Sequence, residues 1–147
     1  MKIQTKFLGE VEIQEKEIVK FENGLPGFED TKEYIVLPIE KDSPFALLQA
    51  LNEKEIGFVL AYPFAFKADY SFDISDEEKL DLKTELMEDL AIYSIVTLKD
   101  NFQDSTLNLL APVVLNIKER RGKQLVLQDS VQYPLHFPIQ LTKGSEK

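Results

Sequence analysis

The spacing of its apolar residues constrains this chain more than any other feature. They alternate with charged residues or gather in short β-branched runs, and Gly, Pro, Asn and Asp interrupt them repeatedly. Over residues 2–21, Ile3, Thr5 and Phe7, then Val11 and Ile13, then Ile18, Val19 and Phe21 stand among charged neighbours. A period of two puts successive side chains on opposite faces, so these stretches are expected to be strands. Gly9 breaks the first run, where its tolerance of positive φ suits a turn or a bulge.

ENGLPGFED (Glu22–Asp30) follows as a loop. Pro26 presets the first central angle of a type II turn and Gly27 accepts the positive second one. Further strands are expected at Tyr34–Ile39, Phe45–Leu51 and Ile56–Ala61, the last two forming a hairpin across Asn52–Glu55. In Tyr62–Asp73, Phe64, Phe66, Tyr70 and Phe72 recur at even spacing. An extended segment with one aromatic face turned into a core would show this pattern; an exposed aromatic docking surface is the other reading. Ser75-Asp-Glu-Glu78 forms a capping box, in which the Ser75 hydroxyl and the Glu78 carboxylate each accept from the other's backbone N–H. Its acidic residues also favour the positive helix end. One or two short helical pieces are expected between 75 and 88, with Leu82, Leu86 and Leu90 spaced as on one helical face.

Ala91–Leu98 is β-branched and reads as a strand, as does Leu107–Ile117. A turn at Arg120–Gly122, with Gly122 at the tip, leads to a partner strand at Gln124–Leu127. About eight short strands with little helix predict an all-β chain. The expected architecture is a small closed or partly open β-barrel-like domain with one or two short helices. It is expected to occupy residues 1–141 as a single domain, with 142–147 as a loose C-terminal tail.

The same sequence excludes much chemistry. It holds no cysteine, so disulfides, thiolate nucleophiles, cysteine-bound zinc and iron–sulfur clusters are ruled out, in keeping with a reducing compartment. No stretch has the apolar length of a signal peptide's central region or approaches the ~20 residues of a membrane-spanning helix, so a cytoplasmic protein is expected, away from the membrane. His136 is the one histidine, set between Pro134 and Pro138 with no carboxylate partner beside it in sequence. The six glycines form neither a dinucleotide fingerprint nor a phosphate loop, and the acidic run at 76–78 lacks the alternation of a calcium loop. No catalytic, cofactor-binding or metal site is expected, and a binding module is the default reading.

The net charge of −9 is unevenly placed. Between Asp69 and Leu90, nine acidic residues face only Lys79 and Lys83, a net −7 in 22 residues; the other 125 residues carry −2. Residues 111–147 are net positive, with Lys118, Arg120, Arg121, Lys123, Lys143 and Lys147. An acidic balance disfavours direct nucleic-acid binding, which needs clustered cations to displace counterions. The acidic stretch is either a solvated face or a docking surface for a basic protein, its charges speeding encounter and nearby aromatic anchors holding the partner. The candidate partner-binding residues are Phe66, Asp69, Tyr70, Asp73, Asp76, Glu77, Glu78 and Asp81.

Four segments in series resemble the flagellar assembly factor family (FliW): FENGLPGFED (Phe21–Asp30), FALLQALNEKEIGFVLAYPFAFKADYSFDIS (Phe45–Ser75), YSIVTL (Tyr93–Leu98) and NLLAPVVLNIKERRGKQLVLQ (Asn108–Gln128). The resemblance covers nearly the whole chain. Tyr62, where family members commonly carry Asp or Asn, and Ala50, where they carry Ser, depart from it. It implies a non-enzymatic β-barrel-like protein that binds flagellin in the cytoplasm and, when freed of it, binds the carbon storage regulator, a small RNA-binding translational repressor of flagellin. It further implies relief of repression by binding beside the RNA site. Two other readings stand next to it: a β-barrel small-molecule binding protein or carboxylate-dependent hydrolase, and an RNA binder acting through Lys118–Lys123.

Overall fold

The computed structural model describes residues 1–40, 42–84 and 86–139. Eleven strands appear among them, β1 (Lys2–Gln4), β2 (Glu10–Glu12), β3 (Val19–Lys20), β4 (Glu33–Pro38), β5 (Phe45–Ala50), β6 (Gly57–Ala61), β7 (Ala91–Thr97), β8 (Thr106–Leu107), β9 (Val113–Asn116), β10 (Arg121–Gln124) and β11 (Phe137–Pro138), with one helix, α1 (Asp76–Asp81). β7 makes the sheet a ring. It pairs with β6 at Ile95 and Ser94 and with β9 from Ala91 to Tyr93, while β6, β5, β4, β3, β10 and β9 run on in that order. The result is a closed barrel of seven strands, antiparallel except where β10 meets β3. The β1–β2 hairpin stands apart, and β8 and β11 extend the sheet beyond β7.

Both faces of the barrel wall are buried. Tyr34, Ala46, Leu48, Ala50, Leu60, Val113 and Leu115 point inward with Phe21 and Leu25 and fill the lumen. Their alternates point outward into three further clusters. Ile35, Leu37 and Leu47 meet Ile3 and Ile13 of the β1–β2 hairpin; Val59, Ala61 and Val96 meet Tyr70, Leu107 and Leu109; Val114 meets Ile74, Leu82 and Leu125. Gln49 is the polar exception on β5. Its side-chain oxygen accepts from the Lys6 N–H at 2.8 Å, and its Nε2 donates to the carbonyls of Ala50, Glu53 and Lys54, so the β1–β2 loop and the β5–β6 turn are tied to the wall. A buried amide is tolerated because its donors and acceptor find partners.

One end of the barrel is plugged by the loop over Glu22–Asp30. Leu25 enters the lumen, the Phe28 N–H donates to the Leu25 carbonyl at 2.7 Å, and Gly27 takes φ +87°, as the Pro-Gly pair predicts. Gly24, at φ +64°, lies so close to the Phe28 carbonyl and Glu29 backbone that a Cβ there would come within 2.6 Å.

The expected all-β barrel with short helices is what the chain forms, and the capping box at Ser75 is present. Several boundaries differ from the sequence reading, each for a local reason. The expected strand at Leu107–Ile117 is two strands, because Asn108 Oδ1 accepts from the N–H groups of Leu110 and Ala111 at 3.1 and 2.9 Å, folding the chain before Pro112. Gly122 is not at the hairpin tip. Residues 117–120 make the turn, Arg120 taking φ +57°, and Gly122 lies inside β10 opposite Leu115, so that the strand begins and ends three residues earlier than expected. Tyr62–Asp73 is not extended, since Pro63–Ala65 form a 3-10 turn. Leu82, Leu86 and Leu90 do not share a helical face. α1 stops at Asp81, Lys83 turns left-handed at φ +56°, and Leu82 is buried while Leu86 is exposed. Phe7, expected on a strand face, is exposed in a tight loop closed by the Thr5 hydroxyl, which donates to the Gly9 carbonyl at 2.7 Å. The expected tail at 142–147 lies outside the described residues.

Gly122 faces Phe21, and a Cβ there would sit 2.5 Å from Phe21 Cζ and 2.8 Å from Leu115 Cδ2. Gly122→Ala is therefore expected to destabilise the chain by about 1–3 kcal/mol through overpacking. In a thermal-denaturation double-mutant cycle, Phe21→Leu is expected to cost less in the Gly122→Ala background than in the wild type.

The Tyr34 hydroxyl is buried in the lumen with no hydrogen-bond partner among the described residues, and desolvation pushes its pKa up to about 12. The unfolded tyrosine ionises near pH 10, so between about pH 10 and 12 the unfolded state loses its proton first and stability falls as pH rises. Tyr34→Phe is expected to remove that share of the alkaline loss and to cost little at neutral pH, as read by urea midpoints at pH 8 and pH 11.

Candidate partner-binding surface

The acidic segment is pinned to the barrel at several points, and those anchors decide which of its side chains face solvent. After the Pro63–Ala65 turn, the Phe66 and Lys67 N–H groups both donate to the Pro63 carbonyl. Tyr70, only 3% exposed, sends its hydroxyl to the Leu109 carbonyl at 2.7 Å, with its ring among Phe64, Phe72 and Tyr133. Burial raises its pKa well above the ordinary phenol value, with a smaller contribution from Tyr133. The Tyr133 hydroxyl donates to the Ser71 carbonyl at 2.7 Å. Ile74 is then buried, and α1 starts with the Ser75 hydroxyl accepting from the Glu78 N–H at 3.1 Å. Beyond α1, Leu82 is buried and its carbonyl accepts from Asn116 Nδ2 at 2.8 Å, so the barrel wall holds the far end of the helix.

The eight residues singled out in the sequence separate into different roles. Asp73, Asp76 and Glu77 are exposed and form no salt bridge among the described residues. Asp69 is also exposed, but its carboxylate accepts from Lys67 Nζ at 2.9 Å, and that bond with the lysine's charge holds its pKa below the usual value. Glu78 is half-buried and occupied by the capping box, its carboxylate accepting from the Ser75 N–H at 3.1 Å. Asp81 accepts from Lys123 Nζ at 2.6 Å, a pair that joins α1 to β10 across 42 positions of sequence. Phe66 is half-buried against Phe45, with ring centroids 5.8 Å apart. Tyr70 offers a partner almost no surface; it secures the backbone from which the acids project. The Asp81–Lys123 pair was not legible in the sequence, because it depends on which strand α1 crosses.

Among the described residues, no three His, Asp or Glu side chains are grouped to hold a metal ion, and no helix is long and apolar enough to cross a membrane. His136 Nδ1 lies 3.3 Å from the Thr106 hydroxyl, beside the β8–β11 pair.

The family model described as FliW protein matches residues 2–139. The chain belongs to the FliW family. Among its FliW relatives, a flagellar assembly factor FliW from an Exiguobacterium species is 45% identical over 144 residues, covering 98% of each chain. Another from Geobacillus thermodenitrificans is 43% identical and covers 97% of this chain and 100% of that relative. A crystal structure of the flagellar assembly factor FliW superposes with a TM-score of 0.88 at 39% identity, covering 97% of this chain and 99% of the other. The FliW likeness thus takes in the barrel, its outer hairpin and the acidic segment together.

Tyr70→Phe is expected to cost about 1–2 kcal/mol, since it leaves the buried Leu109 carbonyl without its donor. Chemical denaturation should show this loss beside a near-neutral Tyr34→Phe, whose hydroxyl has no bond to lose.

Proposed function

We propose that this chain is a cytoplasmic flagellar assembly factor that binds flagellin and, when free of it, binds and antagonises the carbon storage regulator, relieving repression of flagellin translation. The observation that carries this reading is the full-length likeness to flagellar assembly factors, in sequence and in fold. Charge supports the choice of surface. Asp73, Asp76 and Glu77 form no salt bridge among the described residues and stand on an anchored segment, suited to attract a basic partner, and Phe66 is a partly exposed aromatic anchor on the same segment. The factor would act by occupying a site beside the regulator's RNA-binding surface, with no imitation of RNA. The reading of a chamber for a small ligand has less support, because Phe21, Tyr34, Leu48, Leu60 and Leu115 fill the lumen.

Gel filtration of the purified chain with flagellin and with the regulator should give two complexes, each displaced by the other partner; no complex with either would overturn the proposal. Asp73→Lys, Asp76→Lys and Glu77→Lys together are expected to slow association with the regulator by about ten-fold at low salt and to flatten its salt dependence. Stopped-flow traces unchanged by these substitutions would show the acidic face to be merely solvated. Asp81 is left out of this set because its loss would also break the pair with Lys123.

A further inference from the structure

The barrel's two ends differ. Leu25 and its loop plug one end, while at the other the short β4–β5 connection leaves an open groove of about 480 Å³. Val36 and Ala46 lie at its floor, and Pro38, Phe45, Tyr62 and Tyr93 form its walls. These walls are prearranged. The Phe45 ring is held between Phe66 at 5.8 Å and Phe102 at 5.4 Å, and Tyr62 rests on Phe64 at 5.0 Å. Yet Tyr62, on the groove's wall, is 48% exposed, a large share for an aromatic ring. The hydroxyls of Tyr70 and Tyr133 bond within the chain, whereas those of Tyr62 and Tyr93 find no partner among the described residues. Burial, and the neighbouring Tyr62, raise the pKa of Tyr93.

We propose that this groove is a second protein-docking site, which takes an extended apolar segment of a partner chain flanked by basic residues. Aromatic and proline walls with free phenol donors suit an extended backbone, whose carbonyls accept from the tyrosines while its apolar side chains enter between the rings. Rigid rings also lose little conformational freedom on binding. Charge selects the flanks. Glu40 and Asp42, on either side of Lys41 in the sequence, both line the groove from the β4–β5 connection. This site is distinct from Asp73, Asp76 and Glu77, and it does not depend on either partner proposed above.

The test uses the full chain and three fluorescein-labelled peptides. One has a Val-Leu-Pro-Leu-Val centre between arginines, one the same centre between glutamates, and one a Ser/Gly centre between arginines. In anisotropy titrations the first is expected to bind at least about ten-fold more tightly than the other two, as apolar anchoring and charge act together. Tyr62→Ala, at a half-exposed position, should weaken it at least about ten-fold with the melting temperature unchanged. Glu40→Lys with Asp42→Lys should reverse the preference between arginine and glutamate flanks, and the Asp73, Asp76 and Glu77 charge reversals should leave peptide affinity within about two-fold. Equal binding of all three peptides, or binding indifferent to Tyr62→Ala, would overturn the proposal. So would a concentration-dependent dimer in sedimentation that Tyr62→Ala abolishes, since the groove would then belong to a second copy.

Discussion

The structure depends on β7 pairing with both β6 and β9. Near its start it pairs with β9 and near its middle with β6, so seven strands close on themselves and, among the described residues of this sheet, only the short β8–β11 extension keeps an edge. Closure with only seven strands leaves a lumen just wide enough for side chains. Phe21, Tyr34 and the inward leucines fill that space. With the lumen filled by these side chains, the surfaces open to a partner among the described residues are the outer wall, the turns and the open end.

The outer surface is itself layered. The β1–β2 hairpin, the aromatic segment after Tyr62 and the helix α1 each cover part of the wall, and each is fastened by a few buried polar contacts: Gln49 for the hairpin, Tyr70 for the aromatic segment and Asn116 for the helix end. Such contacts contribute modestly when made and cost considerably when broken, because a donor or acceptor is then left buried without a partner. They fix the path of the covering segments, and that path decides which charges are free. Of the carboxylates between Asp69 and Asp81, one pairs with Lys67, one caps the helix and one reaches Lys123, leaving Asp73, Asp76 and Glu77 for encounter.

Much of the fold was legible because it rests on local chemistry. The Pro26–Gly27 turn, the β5–β6 hairpin and the Ser75 cap are dictated by residues within a few positions of one another. The candidate site was legible in part: the acidic window could be counted, but its separation into paired and unpaired carboxylates could not. The errors also have physical causes. Asn108 turned the backbone where a continuous apolar run suggested one strand, and Gly122 serves a close approach to Phe21 where a glycine between charged residues suggested a turn.

By itself, the sequence determined a chain of short strands, a capped helix and a strongly acidic segment, since period, turn residues and charge are properties of neighbours. Only the tertiary structure decided that FALLQA and VVLN are buried on both faces, that Tyr70 is an anchor, and that Tyr62 stands at the rim of an open groove. These outcomes follow from ring closure and from where the covering segments cross the wall, which join residues tens of positions apart and leave no trace in local spacing.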